Sequence, residues 1–232
     1  MFWVTSVIGF VAGAALFGAI TFLPIYLQIA KGASPTSSGL QLIPMTAGIV
    51  VASNIAGRYM GRTGRYRWLT IIGTVLLTAG MLVLSTLTAT TPGWRFGLNL
   101  VLVGAGIGCI FPVMITAIQN AVPRESLGTA TAAGLMFRQI GGSLAVALFG
   151  ALFASGMAAS LGVVPGAGSG LEIGPQMLQG RPQAMRGAVT AGVVHALQPI
   201  YLIAAAVGAV GFLFALILQE IPLTNRMVPR QK

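Results

Sequence analysis

Six long apolar stretches fix what this chain can fold into: residues 3 to 29, 39 to 57, 68 to 89, 97 to 121, 127 to 154 and 199 to 219. An α-helix needs roughly 20 apolar residues to cross a hydrocarbon core about 30 Å thick, and each stretch meets that length. In lipid a lone segment satisfies its own backbone N–H and C=O groups only as a helix, the other solution being a closed barrel. The runs are apolar on every face and far longer than the roughly ten residues of a barrel strand, so the barrel is excluded. The expected fold class is an all-α membrane protein whose six transmembrane helices form one bundle. Composition agrees, since only 7% of the residues are charged, against roughly 25% in a soluble domain.

That scarcity of charge also excludes most chemistry. Asp is absent, Glu occurs only at 125, 172 and 220, and His195 and Cys109 are single. Neither a metal cluster nor a paired-carboxylate site can be assembled from this set, so an enzyme is not expected, nor a resident cofactor. A single Cys forbids an internal disulfide, and within its apolar run Cys109 reads as a small buried hydrophobe. His195 is a pH sensor on one reading and a solvated or interfacial side chain on the plainer one.

A net charge of +10 raises the question of nucleic acid, but that partner requires a basic stripe on a folded surface. Here the basic residues sit between the apolar runs, which makes them a topology signal and argues against nucleic acid. With six helices, the second and fourth connections and the C-terminal tail share one side. That side carries eight basic residues: Arg58, Arg62, Arg65, Arg67, Arg124, Arg226, Arg230 and Lys232. The opposite side carries four, Lys31, Arg95, Arg181 and Arg186. Both termini are therefore expected in the cytoplasm. The first run lacks a basic n-region and is too long for a signal-peptide core, so it is expected to stay in the membrane. Residues 1–154 would hold helices 1 to 5, and residues 199–232 helix 6 and the tail. The Gly- and Pro-rich segment 155–198 would connect them outside the cytoplasm, with Gln183 to Leu197 an interfacial helix or an extension of helix 6.

Between helices 2 and 3 the chain reads Gly57-Arg58-Tyr59-Met60-Gly61-Arg62-Thr63-Gly64-Arg65-Tyr66-Arg67. This resembles the loop signature of the major facilitator superfamily: Gly57, Arg62, Gly64 and Arg65 match it, and Gly61 stands where the signature has an acid. Leu23-Pro24-Ile25-Tyr26-Leu27-Gln28, then Gly32, Ser34-Pro35, Gly39 and Ile43-Pro44, is similar to the opening of the C-terminal bundle in the fourteen-helix drug/proton antiporters. Gly104-Ala105-Gly106-Ile107-Gly108 with Pro112, Pro123-Arg124-Glu125 with Gly128, and Arg138-Gln139-Ile140-Gly141-Gly142 continue the pattern in order.

The residues also have a physical reading of their own. Gly104 and Gly108, four apart, open one helix face to a close neighbour, and Gly142, Val146 and Gly150 continue such a ridge imperfectly. Pro24 and Pro112 remove backbone hydrogen bonds within helices 1 and 4. The loop arginines either anchor topology or act as a latch, donating to the C-terminal carbonyls of neighbouring helices. Gln28 before Gly39 and Gln119 before Gly128 hint at an inverted pair of three-helix units.

Arg138 is the one charge deep in a span, roughly 16 Å into helix 5, and calls for a polar cavity unless it snorkels. Gln28, Gln41, Gln119 and Gln139 join it as candidate substrate contacts among the polar positions Thr46, Ser53, Asn54, Thr116 and Asn120. Phe22, Tyr26, Met45, Phe111, Met114, Met136 and Phe137 would supply an adaptable apolar wall. The resemblance implies the C-terminal half of a proton-coupled multidrug or antibiotic exporter in a bacterial inner membrane. It would work by alternating access on small amphiphilic substrates, driven by the proton gradient. Its partners would be the bilayer and an N-terminal bundle or a second copy of the chain. The alternatives are a non-transporting truncated or assembly-partner subunit and a facilitator for another small solute.

Overall fold

A computed structural model describes residues 2–161 and 183–218. Its helices are α1 (Phe2–Ala30), α2 (Pro35–Leu40), α3 (Ile43–Thr63), α4 (Arg67–Leu84), α5 (Gly93–Asn120), α6 (Leu127–Leu161) and α7 (Gln183–Ile217). A 3-10 turn, Arg124–Ser126, leads into α6, and no strand occurs among the described residues. With the short α2 running into α3, six helices are long and apolar enough to cross a membrane.

The helix limits depart from the sequence expectation where tertiary contacts or local hydrogen bonds decide. α6 continues to Leu161, and α7 starts at Gln183 and passes through Pro199. The expected connection 155–198 is therefore helical at 155–161 and 183–198, and Gln183 to Leu197 is an extension of the last helix. Packing holds that extension in place: Gly156 lies against Ala196, Gly192 against Ser160 and Met157, and Val193 and Leu197 are buried. α4 stops at Leu84, five residues short of the apolar run. There the Ser85 hydroxyl donates to the Leu82 carbonyl, and both the N–H and the hydroxyl of Thr86 donate to that of Val83, so local bonds close the helix end. α3 runs on to Thr63 and ends at Gly64, whose φ of 67° is left-handed and whose N–H donates to the Met60 carbonyl. Arg181, the tail arginines, Lys232, Glu172 and Glu220 lie outside the described residues.

The main helix contacts run in the order α3, α5, α4, α7, α1, α6, with α1 and α5 also touching across the middle. α3 and α6 stand at the two ends of this series and share no substantial interface. The bundle is thus open on one face, with α3 and α6 at its edges and α5 and α1 between them. Exchanging α1 with α5, α3 with α6 and α4 with α7 turns the α3–α5 contact into α6–α1 and the α4–α5 contact into α7–α1. The α4–α7 and α1–α5 contacts map onto themselves. These contacts follow the pairing of two inverted three-helix units, whereas the α6–α7 contact has no α3–α4 counterpart of similar extent.

Small residues bring the backbones together. Gly104 faces the Met45 carbonyl, and Cβ atoms added at Gly48 and Gly108 would lie 2.7 Å from the Val101 carbonyl oxygen and 2.5 Å from that of Ile49. Between them Gly106 turns the other way, where a Cβ would lie 2.6 Å from the Leu77 nitrogen of α4. One glycine run thus seats α5 against two helices. On α6, Gly141 meets the backbone of Phe10 and Gly142 the ring of Phe17, whereas Gly150 has open space. The ridge there is consequently shorter than the spacing of Gly142, Val146 and Gly150 suggests.

Pro112 lies inside α5 and cannot donate to the carbonyl four residues earlier, that of Gly108. The Ser53 hydroxyl of α3 donates to that carbonyl at 3.1 Å, supplying from a neighbouring helix the bond that proline removes.

Gly104→Val should overpack the α3–α5 contact and cost about 1–3 kcal/mol. Gly57→Ala, with nothing within 4 Å of the new methyl, should leave stability unchanged or slightly raised. Cys109 is buried, so thermal unfolding followed by its reaction with a thiol-reactive dye reads both variants. An unchanged midpoint for Gly104→Val would contradict the close-approach account.

Candidate functional site

Several side-chain hydrogen bonds between elements lie at the two ends of the bundle. At one end the Tyr26 hydroxyl donates to the Thr88 carbonyl at 2.7 Å, and its ring stacks on Phe96 with centroids 5.8 Å apart. Lys31 Nζ donates to the carbonyls of Ala89 and Thr91 at 2.6 and 2.7 Å. The last turns of α1 thereby grip the carbonyls of the α4–α5 connection, which have no helix to satisfy them. At the same end the half-buried Gln28 donates from Nε2 to Ser38 Oγ at 3.1 Å, fastening α1 to α2. Gln41 caps α2 and donates to Ser37 Oγ at 3.3 Å.

Gln119 belongs to the opposite end. It lies 23 residues along α5 from Phe96, a helical rise of roughly 34 Å, and donates from Nε2 to Thr131 Oγ1 of α6 at 3.3 Å. The structure therefore does not bring Gln28 and Gln41 together with Gln119. Each of these amides is already engaged, Gln28 and Gln119 in joining neighbouring helices and Gln41 in closing α2.

Arg138 stands nearer the middle. It is half-buried on α6, with its backbone against Gly13 of α1. Its guanidinium carbon lies 4.8 Å from the centroid of the Phe111 ring on α5, a cation–π contact. Nε is buried and has no hydrogen-bond partner. Gln139, one residue on, is exposed on another side of the helix. Of the expected apolar wall, Phe22, Tyr26, Met45 and Met114 are buried in the core, Phe111 and Phe137 are half-buried, and Met136 is exposed. Phe111 is the member that reaches the charge.

In the loop signature, Gly57 and Gly61 are exposed with open space around them, Gly64 ends α3, and Arg62 and Arg65 are exposed. The latch is made by Arg67, whose Nη2 donates to the Leu216 carbonyl at 2.8 Å, one residue before the end of α7. A cation at the C-terminal carbonyls of a helix is favoured by the dipole. The latch reading covered the loop arginines together, and the two that match the signature, Arg62 and Arg65, are not the one that makes this bond. Its place at the first residue of α4, level with the end of α7, is a product of the fold. His195 is exposed on α7, and no group of three or more metal-ligating side chains occurs among the described residues.

Comparison with known proteins places this architecture. Residues 1–146 match the sequence model of the Major Facilitator Superfamily. The chain belongs to that superfamily. An uncharacterized MFS-type transporter of Mycobacterium tuberculosis is 39% identical over 231 residues, covering 97% of this chain and 33% of the relative. A tetracycline resistance determinant of Streptomyces rimosus is 36% identical over 150 residues, 64% of this chain and 43% of its own. Among solved structures, the Escherichia coli fucose:proton symporter FucP superposes with a TM-score of 0.69 at 18% identity, over 94% of this chain and 48% of the symporter. At that identity the likeness concerns the fold. The chain thus spans about a third to a half of the length of these proteins. It is an MFS-type, multi-pass helical membrane protein, and its family members are transporters.

Proposed function

We propose that this chain supplies one six-helix bundle of a proton-coupled exporter of drugs or antibiotics in a bacterial inner membrane. It would work by alternating access against a second bundle, with the ordered motifs marking it as the C-terminal half. The observation that carries the reading is the 36% identity over 150 residues to a tetracycline resistance determinant. The open face between α3 and α6 supports it, because alternating access needs a second unit across a shared cavity. Among the described residues the one acid is Glu125, exposed in the turn before α6. A proton-carrying carboxylate in the membrane would then come from the second bundle. The basic bias of the connections supports cytoplasmic termini.

The test is resistance. Joined to the N-terminal helices of the Mycobacterium tuberculosis relative and expressed in a pump-deficient bacterium, the chain should raise the inhibitory concentration of amphiphilic drugs at least fourfold, and a protonophore should abolish the gain. Unchanged sensitivity across a drug panel, with normal membrane abundance, would instead favour a facilitator for another solute or a non-transporting subunit. Orientation is read separately. In a Cys109→Ala background, cysteine at exposed Thr36 should react with an impermeant maleimide on intact spheroplasts and cysteine at Ser126 should not; the reverse would overturn the orientation.

A further inference from the structure

Arg138 is the only ionised side chain among the described residues that lies more than two turns from a helix end. A charge at that depth is costly unless something compensates it, and among the described residues neither a hydrogen bond at Nε nor a carboxylate does so. Nε is shut in without a hydrogen-bond partner. Glu125, the one described carboxylate, is exposed 13 residues before Arg138, a rise of roughly 20 Å. What does meet the guanidinium is the Phe111 ring, which covers one of its faces. The side chain is half-buried, and of its three nitrogens only Nε is shut in without a partner, which leaves the terminal pair accessible beside the Phe111 ring, where α6 meets α5.

We infer that this junction is a subsite for the carboxylate of a small aromatic amphiphile. The inference names the substrate class of the proposed exporter and rests on that reading. The chemistry is that of a planar, permanently charged fork, which takes a carboxylate by paired N–H···O bonds. The apolar body of the ligand has Phe111 beside the charge and, next to Arg138 on α6, the half-buried Phe137. Phe137 is itself braced edge-on by Trp3, with centroids 6.1 Å apart. A purely cationic amphiphile finds the opposite setting, a like charge with no carboxylate beside it among the described residues. The bundle therefore selects anionic or zwitterionic substrates over cationic ones.

The experiment is calorimetric titration of the full chain in nanodiscs of neutral lipid, with empty nanodiscs subtracted. The probes are 2-naphthoate, 2-naphthamide and 2-naphthylmethylammonium, which share one ring system and differ in charge. Naphthoate should bind at least tenfold more tightly than the amide, and the ammonium probe most weakly. Arg138→Gln should bring naphthoate and amide within about twofold of each other. Phe111→Leu, which keeps the charge and provides the test should Arg138→Gln fail to fold, should weaken all three probes and preserve their order. Equal affinities in the unaltered chain, no saturable naphthoate binding, a preference for the ammonium probe, or loss of the order in Phe111→Leu would overturn the inference. Because titration needs no transport, a failed resistance assay with intact naphthoate selectivity refutes the exporter reading and leaves this subsite standing. Resistance without charge selectivity does the reverse.

Discussion

Close approach of helix backbones at glycine is the constraint on which the rest of this structure depends. Lipid tails are as apolar as leucine, so burial of side chains alone does not draw transmembrane helices together. Van der Waals packing and interhelical hydrogen bonds have to do so. Gly48, Gly104 and Gly108 let α3 and α5 meet backbone to backbone, and Gly106 does the same for α5 and α4. From that seam the Ser53 hydroxyl reaches the Gly108 carbonyl that Pro112 leaves unpaired. A proline can thus sit inside a central helix, next to Phe111 and so within reach of Arg138.

The hydrogen bonds sort into two roles. At the ends of the bundle Lys31, Tyr26 and Arg67 satisfy carbonyls that helix termini and connections leave open, which ties α1 to the α4–α5 connection and α4 to α7. These contacts reinforce a series of helices whose two outer members, α3 and α6, stay apart. Arg138 is the exception, a charge supported by one aromatic ring, that of Phe111, where α6 meets α5. A residue whose cost the described chain does not offset is a natural place for a ligand or a second bundle to act.

Much of this was legible in the residues, and what was not has physical causes. The six spans were readable because their apolar length outweighs every local signal. The start of α7 at Gln183 was one of two readings the residues allowed, and neither the choice between them nor the end of α6 was legible, because Gly156, Gly192 and Val193 favour helix there by packing on each other's helices. α4 ended early because Ser85 and Thr86 compete for its last carbonyls, an effect hydropathy ignores. Gly104 and Gly108 could be read as a packing face, yet their partner α3 could not. Arg138 stood out as a lone charge at depth, while its ring partner Phe111 is 27 positions away and comes near only through the fold. Of the glutamines read as one cavity set, Gln28 and Gln41 fell at one end and Gln119 at the other, since residue type says nothing about height along a helix.

The central claim is that this bundle works only against a second one, and reconstitution tests it most directly. The purified 232-residue chain is placed in proteoliposomes under an imposed proton gradient, alone or together with the N-terminal helices of the Mycobacterium tuberculosis relative, and movement of a fluorescent amphiphilic substrate is followed. The account predicts gradient-dependent transport in the paired vesicles and none above the empty-liposome rate for the single chain. Equal gradient-dependent transport by the chain alone would contradict it and make an assembly of this one bundle the working unit.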